Sequence, residues 1–332
     1  MLKALFIVGA MLCAGTPAVA QRFDGFNVVI APGYPYGSVG AHRSLAAAVR
    51  AGARAIAVVL FLKQRDPQHT GLVRGADLAD GPLRLAIREA HVLGLKVMVK
   101  PQIAIEGGCA GSVEPATAGD WRIWFERYQT AMLEIARVAA EEGAEALCIG
   151  TELEKTTGRG EWSDLIAAVR TVYPGRLTYA AHNVEEAETV PFWPRLDWIG
   201  VTLYPKLGAD DDQVARRSTM RDVVQRLEAL SARHGKPILA AEIGIRSAQG
   251  AAARPWESVK ERAAPADGGL QRAVLADWLD ALDRPAVTGV LIWQWLTDPE
   301  AGGVADTDFT VQGKPAAHVL CERTKDCRAS AR

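Results

Sequence analysis

Short runs of apolar residues alternate along the chain with longer stretches in which apolar positions recur at helical spacing, the pattern of a parallel sheet built from strand–helix units. The apolar runs predict strands over 26–30, 55–61, 96–101, 146–150, 177–181, 198–202, 238–242 and 287–295. Helical spacing covers 43–52, 79–94, 119–142, 162–173, 214–234 and 269–282, with Gly94, Gly143 and Gly235 placed to end helices in the left-handed conformation. Residues 184–196 lack that spacing and read as a short irregular crossover. Eight strands with intervening helices predict an α/β fold, a closed (β/α)8 TIM barrel in a single domain. Neither a GxGxxG turn nor a P-loop follows the first strand, so the nucleotide-binding open sheets lack their phosphate loop.

The first 20 residues stand outside this pattern. Met1-Leu2-Lys3, an apolar run over 4–14 and Ala18-Val19-Ala20 form the three parts of a secretory signal, with cleavage expected after Ala20. The apolar stretch is too short to span a bilayer, and Leu12 stands where a lipoprotein signal would have a small residue before Cys13. An exported protein, periplasmic or secreted and free of the membrane, is expected. Of the cysteines that remain, Cys321 and Cys327 close a short polar loop and make the best pair, while Cys148 lies in the run Ala146-Leu147-Cys148-Ile149 and reads as a core thiol.

Charge then narrows the function. Against 38 Lys and Arg stand 39 Asp and Glu, a formal net charge of −1, and no basic cluster interrupts the balance. Nothing here would hold a phosphate backbone, so nucleic acid is excluded as a partner. No apolar patch is evident either, and a monomer is expected.

In such barrels the active site lies at the C-terminal ends of the strands, which reduces the acids to be considered to two. Glu152 follows Ala-Leu-Cys-Ile-Gly-Thr at the end of the fourth predicted strand, and Glu242 ends Pro-Ile-Leu-Ala-Ala at the seventh. These strands face each other across the barrel mouth. Two carboxylates so placed suit glycoside hydrolysis, where one protonates the leaving oxygen and the other attacks the anomeric carbon or activates water. The alternative is that each acid caps a strand or pairs with a neighbouring base.

Aromatic side chains favour a sugar, whose apolar faces stack on Trp and Tyr. Tyr204 follows the sixth strand, and Trp293 and Trp295 end the eighth, two residues apart and so expected on one face. Trp295, nearer the mouth, is the expected stacking platform; Trp293 reads equally well as barrel core. Trp121, Trp124, Trp162 and Trp278 fall on helices and read as packing. Lys100 and Gln102 close the third strand, where they would bond sugar hydroxyls or, for Lys100, pair with a carboxylate; Asn183 after the fifth strand is a similar candidate. His182 beside it has no partner at metal-ligand spacing among the six histidines, and neither a metal nor a cofactor is expected.

Several segments join these residues into one likeness: Ala90-His91 with 94–101, Ile149-Gly150-Thr151-Glu152-Leu153, Trp162 with Leu165-Ile166 and Val169-Arg170, and Leu177-Thr178-Tyr179-Ala180-Ala181. They continue through Phe192-Trp193, Leu196-Asp197, Ile199-Gly200-Val201, Lys236-Pro237, Glu242-Ile243-Gly244, Pro255-Trp256 and Gly313-Lys314-Pro315-Ala316. In their order and spacing the chain resembles glycoside hydrolase family 113, retaining (β/α)8 enzymes of clan A known for β-1,4-mannanase activity. The resemblance implies that Glu152 is the general acid/base and Glu242 the nucleophile, that Tyr204 holds the nucleophile's carboxylate, and that Trp295 floors the subsite of the sugar under attack. A retaining mechanism requires carboxyl groups about 5 to 5.5 Å apart, with the acid's pKa raised and the nucleophile ionised. Two stretches at the mouth depart from the family pattern: 107–112 lacks a Trp-Arg pair, and His182-Asn183 stands where a small residue, Asn and Trp are usual.

The expected function is therefore an exported retaining endo-β-glycosidase acting on β-1,4-mannan, glucomannan or a related polysaccharide or oligosaccharide. The alternatives are hydrolysis of another β-glucan or a bacterial exopolysaccharide, and a barrel that binds polysaccharide, or belongs to an envelope assembly, without cleaving it. Transglycosylation would use the same residues.

Overall fold

The barrel is closed by the pairing of its first strand with the next strand in sequence on one side and the last on the other. A computed structural model describes residues 22–75, 79–324 and 327, so the export signal expected over 1–20 lies outside the described residues. The strands are β1 (Gly25–Val29), β2 (Ala55–Gln64), β3 (Val73–Arg74), β4 (Lys96–Ile105), β5 (Ala146–Thr151), β6 (Arg176–His182), β7 (Ile199–Leu203), β8 (Ile238–Gly244) and β9 (Val287–Leu296). Eight of them pair in parallel in the order β1-β9-β8-β7-β6-β5-β4-β2, and β1 pairs with β2 to complete the circle. The exception is β3, a two-residue strand lying antiparallel on β2 that the apolar pattern did not predict.

The helices among the described residues are α1 (Val39–Arg50), α2 (Asp80–Val92), α3 (Ala118–Glu141), α4 (Glu161–Val172), α5 (Asn183–Thr189), α6 (Gln213–His234), α7 (Gly268–Ala281) and α8 (Val319–Thr324). Four of them, α1, α3, α6 and α7, start with side-chain caps where backbone N–H groups would otherwise be orphaned. Thr117 and Asp120 form a reciprocal capping box on α3, and Asp212 and Asp267 cap α6 and α7. Gly235 ends α6 at φ +63°, as its place in the sequence predicts. The supposed irregular crossover after β6 contains α5, too short for a helical period to be visible, and a 3-10 turn over Trp193–Arg195.

Two apolar layers result. Between strands and helices lies the large one, into which Trp124, Trp162 and Trp278 are fully packed, with Trp121 against its edge. Inside the barrel the residues are small: Ala55, Ala57, Ala146, Cys148, Ala180 and Ala241 share the space with Met98, Leu239 and Leu291, above Phe23 and Trp198. The Phe23 and Trp198 rings pack 5.6 Å apart and fill the N-terminal end, which leaves the opposite end for polar chemistry. Near the C-terminus Cys321 and Cys327 are joined in a disulfide, and Cys148 is a buried free thiol.

Candidate active site

Glu152 and Glu242 reach the same mouth by different local devices. Strand β5 carries one extra residue against β6 between Cys148 and Thr151, and Glu152 then leaves the strand at φ +55°. That left-handed conformation costs a non-glycine residue roughly 1–2 kcal/mol, so it is held by what surrounds it, beginning with the Glu152 N–H to Ala180 carbonyl bond of 2.8 Å. Strand β8 carries one extra residue against both β7 and β9, between Ala240 and Glu242. Strict alternation from Leu239 and Ala241 would send Glu242 outwards; the bulge restores it to the interior. The Ala241 carbonyl, left over by the bulge, accepts from Asn27 Nδ2 at 3.0 Å.

Around Glu242 every contact is a donor. Lys100 Nζ, fully buried, is ion-paired with Oε1, Gln102 Nε2 donates to the same oxygen at 2.7 Å, and Tyr204 OH donates to Oε2 at 2.8 Å. Asn27 Oδ1 in turn accepts from Lys100 Nζ at 3.0 Å, so one asparagine ties the bulge to the lysine. Burial pushes the Glu242 carboxyl up from its ordinary value, Lys100 and Tyr204 oppose it, and the charge of Glu152 adds to the rise. The three donors at its oxygens favour the ionised form against that net rise.

Glu152 is less enclosed. Its Oε1 accepts from Thr202 Oγ1 at 2.6 Å and lies 3.3 Å from His182 Nδ1. Burial pushes its carboxyl up, but His182, Thr202 and Lys100 together hold it below the usual value. This reverses the sequence expectation of a raised acid, because that expectation did not include His182 and Thr202 as neighbours. Thr202 and Tyr204 are two residues apart at the end of β7, and Thr202 is registered directly against Glu242 on β8. One strand thus contacts both carboxylates.

The remaining candidates separate. Lys100 and Gln102 face the carboxylate, the second of the two roles considered for Lys100 and one not foreseen for Gln102. Asn183, also at φ +55°, accepts from the Tyr204 N–H at 2.7 Å and places Nδ2 3.1 Å from His182 Nε2. Trp295 is a correction. It is 3% exposed, its indole N–H donates to Ser44 Oγ of α1 at 2.8 Å, and its ring packs 4.8 Å from Phe26, on the helix side of the barrel. The cause is an extra residue on β9 between Trp293 and Trp295, registered against Asn27 and Val28, which breaks the alternation that would have put both rings on one face. Trp293 is the half-buried tryptophan at the mouth, with Lys100 Nζ 5.6 Å from its ring centroid.

A cleft of about 1170 Å³ opens beside the pair, lined by the 107–112 loop, Glu152, His182, Tyr204 and Trp256 among others. Trp256 is 44% exposed there, a stacking surface that the strand-end filter passed over because it sits in the loop after β8. Asn27 and Thr202 were also missed; each is a single polar residue within an apolar strand, a signal visible only once the inward positions are known.

The comparisons fit this geometry. The sequence profile of Glycoside Hydrolase Family 113 matches residues 28–314. The chain belongs to glycoside hydrolase family 113. A family 113 β-mannanase from Alicyclobacillus acidocaldarius, solved in complex with ManMIm, superposes with a TM-score of 0.82 at 25% identity, over 92% of this chain and 98% of that one. A second family 113 structure, a β-1,4-mannanase, gives 0.81 at 25% identity over 92% and 99%. A β-glucuronidase from Ruminococcus gnavus shares the fold alone, at 15% identity and a TM-score of 0.62, over 91% of this chain and 50% of its own. No curated protein matches in sequence. This family 113 member is a glycoside hydrolase with a (β/α)8 barrel, and its substrate is a carbohydrate.

Proposed function

We propose that the protein is an exported, retaining β-1,4-mannanase or closely related β-glycosidase, with Glu242 as nucleophile and Glu152 as acid/base. The observation that carries this reading is the end of β7, where Thr202 bonds one carboxylate and Tyr204 the other. Oε1 of Glu242 is already engaged by Lys100 and Gln102, whereas Oε2 has only Tyr204 among the described residues, so Oε2 is the attacking atom. As it bonds to the anomeric carbon the glycosidic C–O bond breaks, and the Glu152 carboxyl gives its proton to the leaving oxygen. Water then attacks the same carbon, Glu152 takes a proton from it, and the bond to Glu242 breaks. Trp293 floors the reacting sugar, and Trp256 stacks on a sugar further along the cleft. The mannanase specificity is supported by the two 25%-identical relatives; export is supported by the N-terminal sequence.

Glu152→Ala and Glu242→Ala are each expected to leave a folded protein whose release of reducing ends from β-mannan falls by several orders of magnitude. The first anomer released, read by NMR, is expected to retain the β configuration. Inversion would overturn the two-step mechanism, and binding without cleavage across mannans, glucans, xylans and bacterial exopolysaccharides would overturn the hydrolase assignment of this site.

A further inference from the structure

His182 departs from the family pattern and touches the acid/base, and its hydrogen-bond partner fixes its protonation. The Tyr204 N–H is a donor only, so the atom of Asn183 that meets it at 2.7 Å must be Oδ1. The amide nitrogen is thereby turned to His182 Nε2, 3.1 Å away, and it too has only protons to offer. Nε2 must present its lone pair. The single proton of a neutral imidazole is then on Nδ1, which lies 3.3 Å from Glu152 Oε1 but out of line for a hydrogen bond, and which has no hydrogen-bond partner among the described residues. A small tilt of the half-exposed ring brings the N–H onto that oxygen.

We propose that His182 is a positioning residue for Glu152: a neutral imidazole, held by Asn183 with its proton on Nδ1, that donates to the Glu152 carboxylate and stabilises it as the base of the second step. The proposal rests on the reading of Glu152 as acid/base. Three carboxyl groups face the ring, Glu152 from the end of β5, Glu154 from the turn after it and Glu186 from α5, while Lys100 of β4 acts on Glu152 from the far side. The acids draw a second proton towards the imidazole. Asn183 resists it, because a proton on Nε2 would point at the amide N–H and break that bond. The left-handed backbone of Asn183 is what allows one side chain to reach both Tyr204 and His182 as β6 turns into α5.

The sign follows from which form is stabilised. Donation to the carboxylate keeps the Glu152 proton labile, so removing the donor makes Glu152 hold its proton to higher pH. In His182→Ala the basic limb of kcat/KM on soluble β-mannan is expected to move up by roughly one pH unit. His182→Gln, which returns an N–H to the position, is expected to bring the limb back towards wild type. An unmoved or downward-shifted limb in His182→Ala overturns the proposal, since a merely structural histidine would leave the limb in place and a proton store would lower it. A second measurement needs no substrate. Long-range 1H–15N spectra of the full chain labelled at histidine are expected to show His182 protonated at Nδ1 and bare at Nε2 at neutral pH. Asn183→Asp, which offers Nε2 an acceptor, is expected to convert it to imidazolium. The opposite tautomer in the wild type overturns the proposal whatever the activity, while loss of mannan hydrolysis with the Nδ1–H tautomer intact overturns only the substrate assignment.

Discussion

Three donors converge on Glu242, and each makes a different demand if it is removed. Among the described residues Tyr204 OH is the only partner of Oε2, so Tyr204→Phe should leave the barrel folded and lower kcat about 10- to 100-fold, the effect of one hydrogen bond to a charged group, measured by steady-state kinetics on β-mannan. Asn27 lies one step further out, holding Lys100 Nζ and the Ala241 carbonyl together. Asn27→Ala takes one of two partners from a buried ammonium, leaving it Glu242, and strands a buried carbonyl, and should cost about 2–3 kcal/mol of stability, read as a lower midpoint in denaturant. Sequence reading reached Glu152, Glu242 and Tyr204 because each ends or follows an apolar strand. It could not reach Asn27 or choose between the two roles of Lys100, since both depend on which side chains meet across the barrel interior.

At the scale of elements, α5 illustrates what a short segment conceals. Seven residues give no helical period, yet Glu186 inside it accepts from Tyr179 OH at 2.5 Å and from the His182 N–H, closing the helix onto β6. Burial pushes the Glu186 carboxyl up to about 7 against those two hydrogen bonds, with Glu152 and Glu154 adding to the rise. A raised carboxyl favours the folded state below its ordinary range, and that contribution is lost as pH rises through 7. Glu186→Gln should therefore gain on the order of 3 kcal/mol over the wild type at pH 8 relative to pH 4, seen as a narrower gap between Tm values at the two pH values. The C-terminal helix offers a simpler case. Six positions separate Cys321 from Cys327, and closing so short a loop is worth about 2 kcal/mol, so reduction should lower Tm by roughly 2–5 °C. The pairing was foreseeable from spacing alone, because a disulfide that bridges neighbours in sequence does not depend on the rest of the fold.

For the whole molecule, the eight barrel strands stood out in the sequence because each is a mainly apolar run, buried on both faces. Their inner and outer faces did not, and for the same reason: a strand apolar on both faces carries little mark of which residues point inwards. Trp295 was placed at the mouth on the assumption of regular alternation, and the irregularity of β9 sent it to the helices instead. The extra residues that shape the site, on β5, on β8 and at Trp293–Trp295 of β9, lie towards the C-terminal rim, while β9 has a further one against β8 near its start, between Val287 and Gly289.

The extra residue in β8 shows that the letters of a motif do not by themselves place its acid. Ala241 and Glu242 are accommodated where β7 takes a single step from Val201 to Thr202, and both face the interior. The bulge sets the reading frame of the strand, as a single nucleotide sets the frame of a message. Were the same residues paired as a regular strand, with Ala241 kept and the bulge ironed out, every letter of the Glu-Ile-Gly motif would remain, and a search for that motif would still find it, with the carboxylate turned away from the sugar. In this barrel the pairing register of a strand counts for as much as the identity of the acid it carries.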